Sequence, residues 1–205
     1  MEYYIHHIPV FVLSPTEGAD IPDFCTAAEN LFNPPQLLSE VEVVYVGNLK
    51  ELGDKNAMYA NGAIYITNQE KTVEDMLENF VHEVAHALEG LYGAEIYTQN
   101  LIDEFRGKRY RLCEILKAHG YSVPERLCGF TEYSRVFDEF LSNVIGYPTL
   151  LSLTMGLFAS PYGATSIQEY FANGFEKYYL DDAQYVRKIS PVLYDKIEAI
   201  VNADA

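Results

Sequence analysis

The sequence has no tryptophan, only 14 lysines and arginines, and three cysteines in 205 residues. Each shortage excludes something. Against those 14 cations stand 30 acidic residues, giving a formal net charge of −16, so phosphate backbones and anionic lipid surfaces are poor partners. Neither a nucleic-acid nor a membrane partner is expected. Cys25, Cys113 and Cys128 are odd in number, widely spaced and without a CxxC, which predicts buried or idle thiols in a reducing compartment. No GxGxxG, P-loop or nucleophile-elbow serine motif is present. The longest weakly polar run, YPTLLSLTMGLFASPYG, is interrupted by Gly156 and Pro161; it is too short to span a bilayer and predicts a buried helix. The N-terminus MEYYIHHIPVFVLSP has an acidic second residue and no basic region before a long apolar core. No signal peptide is expected from it, and a cytoplasmic or unconventionally exported monomer is the expectation.

What is present is 49% apolar and spread without low-complexity tracts or linkers. One domain over residues 1–205 is expected, large enough to bury a core without a structural metal. Residues 3–13 alternate as a strand, 22–32 have helical spacing, and 41–47 read as a second strand. AMYANGAIYIT at 57–67 is two alternating runs joined by Asn61-Gly62, a strong hairpin signal because both turn residues must accept positive φ. From Thr72 the period changes: Val73, Met76, Leu77, Phe80, Val81, Val84, Leu88 and Leu91 form an apolar stripe opposite Asp75, Glu78, Asn79, His82, His86 and Glu89. Thr72 with Asp75 resembles a capping pair, and Gly90 or Gly93 is the expected stop. Helices are predicted over 98–119, 132–145, 149–159 and 166–180, with a last one broken near Pro191. This is an α+β arrangement, a sheet-containing lobe over 1–70 and a helical lobe over 71–205.

The stretch VHEVAH carries the chemistry. His82 and His86 are one helical turn apart, so both imidazoles can reach one ion, with Zn–N bonds of about 2.0–2.1 Å. Glu83 lies about 100° round the helix, beside the pair, where a carboxylate can serve as base to a metal-activated water without occupying the metal. The bland alternative is a solvated polar face. Uncharged Val84, Ala85, Ala87 and Leu88 within and after the motif argue for a metal. By contrast, His6 and His7 are predicted to alternate faces on a strand, and His119 to sit at a helix C-terminus.

Catalytic zinc takes three protein ligands and leaves one position open. The glycine and histidine of the longest metalloprotease pattern are absent, since positions 89 and 92 hold Glu89 and Tyr92. Carboxylate candidates for the third ligand are Glu104, Glu132, Asp138, Glu139 and Glu169. Glu169 opens a helix with a packed face, where either Ser166 with Glu169 or Thr165 with Gln168 could form the cap.

HEVAH together with YGATSIQEYFANGF resembles the catalytic domain of anthrax lethal factor and its smaller relatives, the Pro-Pro endopeptidases, which are zincins of the gluzincin kind. The matched positions are Tyr162, Gly163, Glu169, Tyr170, Phe171, Ala172 and Phe175. Asn173 stands where that family usually has glutamate. The resemblance implies a zincin fold, Glu169 as third ligand of one catalytic Zn²⁺ with His82 and His86, and Tyr162 as stabiliser of the oxyanion. Glu83 would act as general base in peptide-bond hydrolysis, on a peptide or protein substrate that pairs with the hairpin edge. The rival expectations are a catalytically inactive interaction module and a zinc hydrolase of a non-peptide amide.

Overall fold

The computed structural model describes residues 2–203, which form an α+β fold: a small mixed five-stranded sheet and a mostly helical remainder. Two compact units are present, Met1–Gly93 and Ala94–Ala203.

In the first unit, β1 (Tyr3–Ile5) and β2 (Ile8–Val12) are followed by α1 (Ile21–Leu31), β3 (Val43–Gly47), β4 (Ala57–Ala60), β5 (Ala63–Thr67) and α2 (Val73–Ile96). The sheet order is β1-β2-β3-β5-β4, with β2·β3 and β3·β5 parallel and the outer pairs antiparallel. Alternation sets the faces. Val10, Val44, Val46, Ile64 and Ile66 are buried, while Phe11, Tyr45 and Tyr65 stack as a cross-strand ladder on the other face, their ring centroids 5.7 and 5.4 Å apart. Phe80 of α2 packs edge-on against Phe24 and Phe32. The Asn61-Gly62 hairpin is as predicted, with φ of 51° and 81°, and β4 pairs with β5 as an edge strand.

Two predictions here are corrected. Residues 3–13 are not one strand but a tight hairpin, with His6 at φ 53° in the turn. There its backbone N–H donates to Glu29 Oε1 and its Nε2 lies 2.9 Å from the Phe32 carbonyl oxygen; the period-two pattern continues through so short a turn and hides it. Nor does α2 stop at Gly90 or Gly93. A glycine inside a helix costs only about 1 kcal/mol relative to alanine, too little to end one that is otherwise well formed.

In the second unit, α3 (Gln99–Ala118) is followed by α4 (Arg135–Glu139), which continues as a π-turn over Phe140–Ile145, then by α5 (Tyr147–Thr154), α6 (Ile167–Lys177), α7 (Ala183–Ile189) and α8 (Pro191–Val201). At Gly174 a Cβ would lie 2.3 Å from Leu193 Cδ2, so only glycine permits this approach of α6 to α8. The cysteine reading is overturned: Cys113 of α3 is disulfide-bonded to Cys128, and Cys25 alone is free and buried. The chain reverses at Gly120 and returns alongside α3, a proximity that spacing in sequence does not reveal. The predicted buried helix is also corrected, because α5 exposes Tyr147, Leu151 and the adjoining Met155. No helix among the described residues is long and apolar enough to cross a membrane.

A polar network fastens α3 to α8. Glu104 accepts from the backbone N–H groups of Val192 and Leu193 and from the Tyr170 hydroxyl, at 2.9–3.1 Å; a carboxylate at a helix N-terminus satisfies orphan donors and favours the dipole. Lys108 donates to the carbonyls of Leu157 and Ile189 and to Ser190 Oγ, with its ammonium 5.1 Å from the Tyr170 ring centre. Burial pulls the Lys108 pKa down to about 8, against the opposing pull of Glu104. The folded chain therefore sheds this proton before the unfolded one does, whose lysine titrates near ~10.4. Stability should rise with pH across that window. Urea midpoints at pH 7.5 and 9.5 should show the rise in the wild type and its loss in Lys108→Met; an unchanged slope would remove Lys108 as its source.

Candidate metal centre

His82 and His86 project from the same side of α2 because they are four residues apart, and both are half-buried. Their rings meet edge to face with centroids 4.9 Å apart, and the two Nε2 atoms are 3.2 Å apart. Two ligands at tetrahedral angles on zinc, with bonds of about 2.05 Å, would be separated by about 3.3 Å. The spacing thus suits two lone pairs aimed at one ion.

The His86 ring is held from behind. Its Nδ1 lies 2.7 Å from Glu89 Oε1, so Nδ1–H donates to the carboxylate and Nε2 keeps its lone pair for a metal. In the sequence Glu89 is a polar-face residue standing where a longer motif has glycine, and its i,i+3 spacing from His86 is the signal that points to this contact. Removing it should matter. Glu89→Ala is expected to weaken zinc binding by about 10–100-fold with the fold retained, as read by competition with a chromogenic chelator. An unchanged affinity would show that the ring is oriented without it.

Glu83 is 7% exposed, an expensive place for a carboxylate. Residues 81, 84, 85, 87 and 88 around it are apolar and buried.

The helix carrying Glu169 is set within the second unit. Ser166 caps α6, its Oγ accepting from Glu169 N–H at 3.1 Å; Thr165 does not, because its hydroxyl donates to the Tyr162 carbonyl at 2.8 Å. Ile167 N–H donates to the Thr131 carbonyl. Asn173 donates to the Glu169 carbonyl at 2.9 Å and accepts from Ser160 Oγ. It therefore ties the preceding loop to α6. Tyr162 lies in the half-turn before this helix. Burial, then the fields of Glu169, Asp138, Tyr133 and Tyr147, push its pKa above the ordinary tyrosine value. Its hydroxyl stays protonated and remains a donor.

The other carboxylates have different employment. Glu104 is committed to α8 and Tyr170, as described above, and its partners lie 66 to 89 positions away. Asp138 accepts from the Tyr133 hydroxyl at 2.7 Å, Glu139 from Arg135 Nε at 2.8 Å. Glu132 is exposed, its pKa lowered chiefly by its own backbone N–H and the Thr131 hydroxyl. Among the described residues one group can hold a metal ion: His82, His86 and Glu169, each half-buried, whose ligand atoms lie within 4.8 Å of one another. Two imidazoles and a carboxylate, with one imidazole braced by a further carboxylate, form a donor set that fits zinc.

Comparison with known proteins finds no matching family model, no similar curated protein and no similar solved structure.

Proposed function

We propose that the chain is a zinc-dependent endopeptidase with a zincin-like fold. The carrying observation is the group of His82, His86 and Glu169 with ligand atoms within 4.8 Å, beside the buried Glu83. His82, His86 and Glu169 would hold the ion, which when bound supplies Lewis acidity that acidifies water and polarises a carbonyl.

The chain's own residues do the rest. Glu83, one position after His82, takes the proton of the attacking water and delivers it to the leaving amine. Tyr162, kept protonated by burial and neighbouring acids, donates a hydrogen bond to the carbonyl oxygen as negative charge develops there. Glu89 fixes the ring of His86. The Cys113–Cys128 disulfide supports action outside a reducing cytosol, where such bonds persist.

Elemental analysis should find about one zinc per chain. Glu169→Ala should weaken its binding about 100-fold or more, and peptide-library profiling should yield cleavage by the wild type. Zinc affinity unchanged in Glu169→Ala would move the third ligand elsewhere. A zinc-loaded chain that cleaves no peptide would leave the interaction module or another amide hydrolase in its place.

A further inference from the structure

Residues 140–168 contain no aspartate, glutamate, lysine or arginine, in a chain that is 21% charged. Such a stretch is ordinarily interior. Here it is so only in part: Phe140, Leu141, Ile145, Leu150, Leu157 and Phe158 are buried, but Val144 is 62% exposed, Leu151 62% and Met155 74%. The helix at its centre carries apolar side chains on both its buried and its exposed side. α5 buries Leu150 and Thr154, the Thr154 hydroxyl spending its hydrogen bond on the Leu150 carbonyl, while Tyr147 and Leu151, one turn apart, face water. A surface helix normally keeps its large apolar groups on the buried side, and exposed apolar area marks an interaction site.

The face borders the proposed catalytic residues of the same unit. Tyr147, its first residue in α5, lies within the electrostatic field of Glu169 and Asp138, and Tyr162 within that of Tyr147, Tyr133 and Glu169. Its border is acidic. Between residues 127 and 168 the single cation is Arg135, paired with Glu139; Arg106 acts on Glu132 from outside that stretch, which leaves Asp138 in no ion pair among the described residues.

We propose that the uncharged face formed by Val144, Tyr147, Leu151 and Met155 docks the substrate polypeptide, taking a segment in which apolar side chains adjoin basic ones. The role as substrate rests on the peptidase reading above. The apolar groups supply the area and the acidic border selects cations over anions. A second copy of the chain or an anionic bilayer suits the face poorly, because each would meet a molecule of net charge −16.

The test uses the full chain with Glu83→Gln, so that bound peptide is not cut, and two fluorescein-labelled probes: a Leu-Lys repeat peptide and a Leu-Glu repeat of equal length. Fluorescence anisotropy should show the Leu-Lys peptide binding about tenfold or more tighter than the Leu-Glu peptide. Adding Leu151→Asp with Met155→Asp should weaken it about tenfold or more. Both positions are exposed, so folding is spared. Leu13→Asp, at a 60% exposed leucine of the other unit, should leave affinity within about twofold. Unaltered binding in the Leu151/Met155 variant overturns the proposal. So does a concentration-dependent dimer, or binding to phosphatidylserine vesicles, that those two substitutions abolish. Zinc uptake is scored in the same proteins: a Glu83→Gln chain that takes up zinc but does not bind the Leu-Lys peptide overturns the docking surface alone, and peptide docking by a chain that takes up no zinc overturns the peptidase reading alone.

Discussion

Glu83→Gln is expected to lower kcat/KM for peptide hydrolysis by about 10²–10⁴-fold, the range a positioned general base contributes, while leaving zinc content unchanged. Glutamine matches glutamate in shape, so a 7% exposed position in the middle of α2 is disturbed little by the exchange. What is lost is the proton-accepting oxygen. The side chains proposed to hold the metal are separate residues, His82, His86 and Glu169, and their affinity should not follow the activity down. Steady-state kinetics with a cleaved library peptide, beside metal analysis of the same preparation, separates the two effects. Activity within tenfold of wild type would remove Glu83 as the base. Parallel loss of zinc would make it a structural residue.

The second large effect is expected at Arg109, which is fully buried with no carboxylate partner among the described residues. Its guanidinium donates to the carbonyls of Thr165 and Leu127 at 3.1 and 2.7 Å and stands 4.1 Å from the Phe137 ring centre. Nε has no hydrogen-bond partner among the described residues, and burial pulls the pKa down to about 10. Arg109→Ala would leave two carbonyls without donors and a cavity among Phe105, Phe137 and the backbone, a loss of about 3–5 kcal/mol. Arg109→Met should cost about 1–3 kcal/mol, since it fills most of the volume and removes a poorly satisfied charge, yet cannot donate. Urea denaturation measures both. An alanine variant within about 1 kcal/mol of wild type would sink the argument.

Arg109 also bears on the candidate metal centre. Thr165 immediately precedes Ser166, the cap of the helix that carries Glu169. Arg109→Met, studied where it is fully folded, should therefore weaken zinc binding. Zinc affinity equal to wild type would confine Arg109 to stability.

Much of the fold was legible in the sequence, and the reason is that the signals were local. The Asn61-Gly62 turn requires positive φ at two successive residues, which few other pairs supply. The stripe through Met76, Phe80, Val81, Val84 and Leu88 predicted the buried face of α2 and is buried, but Leu91 at its end is 53% exposed. Breaks were read less well. The hairpin at His6 keeps the strand alternation on both sides, and Gly90 and Gly93 lie within a helix long enough to absorb them.

At the candidate centre, the sequence by itself determined what depends on spacing: two imidazoles on one side of a helix, with a carboxylate beside them. Only the tertiary structure decided which acids are committed elsewhere. Glu104 is taken by helix α8 and Tyr170 through contacts far along the chain, and the disulfide pairing of Cys113 with Cys128 depends on a reversal at Gly120. The exposure of Leu151 and Met155 was equally hidden, because an apolar run predicts burial until the packing shows which side has nothing against it. Helical spacing is fixed by backbone geometry over four residues. The employment of a carboxylate, a thiol or an apolar face is fixed by whichever distant residue the fold brings within reach.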